Sequence, residues 1–176
     1  SWFNRGFLVL RPISWESPAY ILEKIIAYEA VHAIDSWEDL RRRLEPSDRR
    51  CFAFFHPAIP DEPLIFVEVA LTNGTPTSVQ TLLSEDRKEV PTDQIDTAVF
   101  YSISNCQAGL ANVSFGNFLI KQVASDLSLE LEGLKTFITL SPIPGLVKWL
   151  HKSHPNWNSD DEADLRSLAA HYLINE

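Results

Sequence analysis

The sequence predicts a mixed α/β fold of the α+β kind: one sheet flanked by helices, antiparallel at first and closing on a parallel pair. Two observations carry this. Runs 50–56 (RCFAFFH) and 63–71 (PLIFVEVAL) are rich in aromatic and β-branched residues, and only a short Pro-bounded gap separates them. That pattern reads as an antiparallel hairpin. Further on, a strand-like run at 97–104, a helical pattern at 116–131 and a second strand-like run at 136–140 follow in order. A strand–helix–strand unit implies a right-handed crossover and parallel strands.

The elements follow along the chain. Residues 2–10 mix aromatic and apolar side chains and read as a packed lead-in or first strand. Ser17 is the expected N-cap of a first helix, with Pro18 at its first position. Ile21, Leu22, Ile25 and Ile26 set that helix's apolar face. Asp35 or Ser36 is expected to cap a second helix over 37–44, which ends before Pro46. The dipeptide Asn73-Gly74 closes the long strand of the hairpin. The polar, Pro-containing stretch 75–96 reads as a loop with room for one short helical turn. In the helix after the third strand, Phe118, Leu119, Val123, Leu127 and Leu131 share one face. A short helix from Gly145 and a last helix over 162–174, capped by Ser159 or Asp160, complete the expected order.

With 176 residues the chain is one domain in size. A net charge of −9 argues against a general nucleic-acid binder, because backbone affinity needs clustered Lys and Arg. No apolar run reaches a membrane span of about 20 residues. Residues 1–5 do not show the basic-then-apolar pattern of a signal peptide. Cys51 and Cys106 lie in apolar, strand-like surroundings and read as reduced, buried thiols.

The stretch 98–150 holds the candidate chemistry. Its loop 105–117 carries Gly109 and Gly116 and opens directly onto a helix. A helix start leaves N–H groups without intrahelical partners, and its dipole favours an anion. A plain strand-to-helix connection explains the same glycines. Ser141 leaves the following strand and precedes the stiff Pro-Ile-Pro-Gly turn, which suits a catalytic hydroxyl. Capping of that turn is the alternative. Lys121 and Lys148 are the nearest basic residues for a phosphate. Arg41, Arg42, Arg43, Arg49 and Arg50 interleave with acidic residues and read as a solvated, ion-paired face. The five histidines show no metal-ligand spacing, and His32 is expected to pack on its own helix.

The stretches GFLVLRPISWESPAYILEKIIAYEAVHAI, DLRRRLEPSDRRCFAFFHPAIPDEPLIFVEVALT, AVFYSISNCQAGL, SFGNFLIKQV and LSPIPGLVKWL resemble the catalytic domain of the malonyl-CoA decarboxylase family. The resemblance implies a GNAT acetyltransferase-like fold. It implies decarboxylation of malonyl-CoA to acetyl-CoA and carbon dioxide, with no cofactor beyond the CoA thioester substrate. It implies Ser141 as catalytic serine. It places Tyr101, Ser102 and Ser104 beside the pantetheine arm, and Gln107, Gly109, Ser114, Gly116 and Asn117 around the CoA phosphates, where Lys121 is the basic residue expected beside them. The implied partners are malonyl-CoA and, in the full-length protein, further copies of itself, with no nucleic acid and no membrane. The implied compartment is the cytoplasm of a bacterium, or the mitochondrion or peroxisome of a eukaryote.

The chain departs from the family in two respects. The Phe-His-Leu-x-Asn-Gly-Ala motif that carries the family's catalytic histidine does not occur in it, and the N-terminal helical domain is unmatched. The expectation is a single catalytic domain, 1–176, cut at both ends. An acyl-CoA-dependent N-acetyltransferase and a non-catalytic CoA-binding domain are the competing readings.

Overall fold

The computed structural model describes residues 7–76, 78–107 and 116–141. Gly109, Ser114, Lys148, the turn after Ser141 and the helices expected beyond it lie outside the described residues, as do His151, His154 and His171. The chain forms β1 (Val9–Ile13), α1 (Ala19–Tyr28), α2 (Trp37–Leu44), β2 (Arg49–His56), β3 (Ile59–Thr72), α3 (Val79–Leu83), β4 (Thr97–Asn105), α4 (Gly116–Glu130) and β5 (Thr136–Thr139). One sheet holds all five strands in the order β1-β2-β3-β4-β5. The first three pairings are antiparallel, and β4–β5 is parallel. The hairpin and the crossover are thus where the sequence places them.

Two faces bury different helices. On one face Leu119, Val123 and Leu127 of α4, spaced four residues apart, pack on Phe52, Phe54, Val67, Val69, Leu71, Ala98 and Phe100. All three α4 side chains are fully buried. Each contributes about 1.5–3 kcal/mol by leaving water, which holds α4 to the sheet despite its exposed polar side. On the other face Ile21, Leu22 and Ile25 of α1, with Leu40 and Leu44 of α2, cover Ile13, Cys51, Ala53, Phe55 and Phe66.

Three local expectations change. Ser17 does not cap α1: its hydroxyl accepts from Ser14 N–H at 3.0 Å, closing a turn, and Pro18 takes the cap position. Ser36 does cap α2, accepting from Asp39 N–H. The long strand β3 begins at Ile59 and runs through Pro60 and Pro63, because the register shifts at Phe54–Phe55 and Phe55–His56 absorb the missing donors. The arginine cluster splits. Arg41 meets Glu45, and Arg42 meets Asp39 and Glu85, all near the surface. Arg43 and Arg49 are buried, because both carry enough carbonyl and carboxylate partners to leave water.

Candidate functional site

The site is built where β4 and β5 part. Their pairing covers Thr97↔Thr136 to Phe100↔Thr139, and Leu140 N–H adds one more bond to the Phe100 carbonyl at 2.9 Å. β4 then continues to Asn105 alongside β3. Among the described residues no strand pairs with its other edge beyond Phe100. Among the described residues, backbone groups along that edge have no strand partner to bond.

A β-bulge sits at the same point. Val69 pairs with Phe100 and Glu68 with Ser102, so Tyr101 is the extra residue. A bulge resets the alternation of side chains. Ala98 and Phe100 point to the α4 face, while Tyr101, Ser102 and Ser104 all turn to the α1 face. The bulge keeps two serines out of the apolar core under α4.

Tyr101, Ser102 and Ser104 are all buried, and the two serine hydroxyls are engaged inward. Ser102 Oγ donates to the Glu29 carboxylate, 2.7 Å from Oε1 and 2.9 Å from Oε2. Ser104 Oγ lies 3.3 Å from Glu29 Oε2 and accepts from Ala30 N–H at 3.1 Å. His32 leaves its helix's end to place Nε2 3.1 Å from the Tyr101 carbonyl oxygen. Burial holds the His32 pKa below its ordinary value. Both serine hydroxyls and the Tyr101 carbonyl on this part of β4 are thus already bonded within the protein.

α4 begins beside the same free edge. A methyl group at Gly116 would sit 3.9 Å from Ile103 Cγ2, an ordinary contact. Gly116 does not take a left-handed φ, so the fold itself does not demand glycine there. The first turn of α4 holds no acidic residue that would compete with an anion. Asn117 and Lys121 are exposed, one turn apart on α4, and Gln107 is half-buried at the end of β4. Ser141, exposed, directly follows the last β4–β5 contact at Leu140. The structure thus brings the helix start, the free strand edge and Ser141 to one end of the sheet.

Sequence reasoning missed the roles of Glu29, His32 and Arg43. Arg43 donates to the His32 and Ala33 carbonyls at 2.7 and 2.9 Å, fixing the α1–α2 connection. No local motif marks them; the signal was a Glu and a His three residues apart just past an apolar helix face.

This architecture is that of the GNAT acetyltransferases, to which the chain is similar in fold alone. An aminoglycoside N-acetyltransferase in complex with CoA superposes with TM-score 0.52 at 9% identity, covering 83% of this chain and 85% of that one. An aminoglycoside acetyltransferase from a soil metagenome gives 0.51 at 12% identity, covering 88% and 92%. Within that class the sequence is more specific. A family model described as the malonyl-CoA decarboxylase C-terminal domain matches residues 6–175, and the chain belongs to this family.

The relatives agree. Malonyl-CoA decarboxylase from Agrobacterium vitis has TM-score 0.85 at 58% identity, covering 93% of this chain and 42% of that one. The Rhodopseudomonas palustris protein gives 0.81 at 55%, covering 99% and 43%. The mitochondrial malonyl-CoA decarboxylase of Anser anser anser is 47% identical over 151 residues, 85% of this chain and 30% of that protein. The chain spans under half the length of these relatives.

Proposed function

We propose that this chain supplies the CoA-binding and serine-bearing part of a malonyl-CoA decarboxylase. The observation that carries the reading is Ser141 at the point where β4 and β5 separate, flanked by the free β4 edge and the α4 start. The pantetheine arm would lie along the free edge, bonding to backbone groups. The phosphates would meet the first N–H groups of α4, with Asn117 and Lys121 beside them.

The chemistry follows from the substrate. When the carboxylate leaves as carbon dioxide, the electron pair of the broken carbon–carbon bond moves into the thioester, giving an enolate. The thioester is itself the electron sink, so the reaction asks for no further cofactor. Donors fixed at the enolate oxygen stabilise the transition state, by about 3 kcal/mol each in related acyl chemistry. Ser141 is assigned as such a donor. The α-carbon must then take up a proton, and the family's histidine motif, absent from this sequence, is assigned as its source.

The test is an assay with malonyl-CoA, following acetyl-CoA by chromatography. It compares the chain alone with a version completed by the flanking segments of the Agrobacterium vitis protein. The completed protein should turn over, and Ser141→Ala should lower kcat by about 100-fold or more while leaving CoA affinity within about twofold. No acetyl-CoA from the completed protein would sink the reading. Acetyl transfer from acetyl-CoA to an amine, without decarboxylation, would replace it with an acetyltransferase.

A further inference from the structure

Glu29 stands just past α1, half-buried, and gathers more of the site's framework than any other side chain near it. Its Oε1 accepts from Val31 N–H at 2.9 Å, His32 N–H at 2.8 Å and Ser102 Oγ at 2.7 Å. Its Oε2 takes Ser102 Oγ and Ser104 Oγ. The loop it holds returns two more bonds to β4, Ala30 N–H to Ser104 Oγ and His32 Nε2 to the Tyr101 carbonyl. Every β4 residue so fixed, Tyr101, Ser102 and Ser104, lies beyond the last residue paired with β5.

The strand needs such a hold. Four of its residues are locked between β3 and β5, but from the bulge on it has one strand neighbour among the described residues. A strand with one edge open and a bulge at its base is free to twist or slip. We propose that Glu29 is a positioning residue: one carboxylate clamps the bulged half of β4, beyond its pairing with β5, to the α1–α2 loop, and so fixes the edge along which the acyl-CoA arm lies. The carboxylate touches no substrate; it acts through the serines. This rests on the CoA reading given above, and the test separates the two.

Three variants are compared with the parent chain. Glu29→Gln keeps an acceptor at Oε1 and offers an NH2 group to serine hydroxyls that can accept. Glu29→Ala removes every bond. Asp96→Asn is the control: Asp96 bonds Gly74 N–H and Thr97 Oγ1 at the far end of β4, away from the bulge. The first readout is amide hydrogen exchange without ligand. Glu29→Ala should speed exchange at Ala30, Val31, His32 and along 102–105, leaving 97–100 unchanged. Glu29→Gln should protect the loop amides as the parent does.

The second readout is calorimetric titration with CoA. Glu29→Ala should weaken binding by at least about tenfold, the loss of one charge-assisted bond. Glu29→Gln should stay within about threefold, and Asp96→Asn should lower Tm but keep parental affinity. Unchanged exchange at 102–105 in Glu29→Ala overturns the clamp, whatever CoA does. Loosened exchange with unchanged CoA affinity overturns the role in positioning. If the parent chain and its completed form both ignore CoA, the CoA reading falls and the positioning role with it, while the exchange result still decides whether the clamp exists.

Discussion

Arg43 and Glu68 meet at 3.3 Å with both side chains out of water, yet Glu68 Oε1 has no hydrogen-bond partner. Tyr101 Oη, buried nearby, has none either. A carboxylate that lacks a partner on one oxygen is costly to bury ionised. Burial and the neighbouring Glu29 charge push the Glu68 pKa up to about 8, against the opposing pull of Arg43. The Arg43 guanidinium stays charged, held also by Asp39 at 3.0 Å. The contact is therefore an arginine bonding a largely protonated acid near neutrality, more than an ion pair.

That arrangement makes stability depend on pH in a definite direction. Between the ordinary value of 4.5 and about 8 the folded chain keeps a proton on Glu68 that the unfolded chain has released. Stability contributed by that proton is complete below the lower value and lost as pH rises through the upper one. The slope is at most about 1.4 kcal/mol per pH unit. Glu68→Gln, neutral at every pH, should remove it. Urea unfolding of both proteins between about pH 5 and 8 checks this: the variant's relative stability should rise with pH. A constant difference across the range would contradict the protonated state.

Gly116 and Gly74 should respond oppositely to alanine. Gly74 has φ +73° in the Asn73-Gly74 turn, where a Cβ is strained by about 1–2 kcal/mol. Gly116 opens α4 with an ordinary φ and room for a methyl group. Gly74→Ala should lower the urea midpoint. Gly116→Ala should hold or raise stability by up to about 1 kcal/mol, while weakening CoA if the phosphates approach that backbone. Equal destabilisation by both would refute the local geometry.

The contrast shows what the sequence could tell. Apolar spacing found α4 and its buried Leu119, Val123 and Leu127, because each helical turn reports on its own burial. The β2–β3 hairpin was legible for the same local reason. The bulge at Tyr101 was not: it turns one strand residue out of register without any Gly or Pro to mark it. So the inward turn of Ser102 and Ser104 was hidden, and with it the clamp at Glu29, which lies 73 residues from Ser102 in the chain. The arginines show the same limit. Arg43 and Arg49 look like their neighbours in the charge pattern, and only the fold brings the carbonyls that bury them.

Both thiols should be silent in the native protein. Cys51 and Cys106 are buried and unpaired with each other. Burial pushes the Cys51 thiol well above its ordinary value and Cys106 up to about 12. The reactive thiolate is thus scarce in the folded state. A chromogenic disulfide reagent at neutral pH should titrate neither until guanidinium unfolds the chain, and both afterwards. Rapid reaction of either one in the native state would show that its pocket opens without global unfolding.

Asp48 is the buried anchor of the long connection between β3 and β4. It takes both Arg87 amino groups at 2.7 and 2.9 Å and Val90 N–H at 3.0 Å, while Arg49 lies 3.3 Å away. These bonds pin residues 87–90 against the start of β2. Removing the carboxylate takes the contacting counter-charge from two arginines, one of them, Arg49, buried with only the Asp48 and Leu82 carbonyls left to it. Asp48→Ala should cost about 3–5 kcal/mol. Arg87→Ala should cost less, because Asp48 keeps Arg49 and the Val90 N–H, and Arg87 is 15% exposed. Limited proteolysis should separate the two. Arg87→Ala should gain cleavage within 84–90 while the sheet stays folded, whereas Asp48→Ala should be digested throughout. Equal unfolding free energies for the two variants would mean that the Arg87 fork, rather than the buried carboxylate, holds the connection.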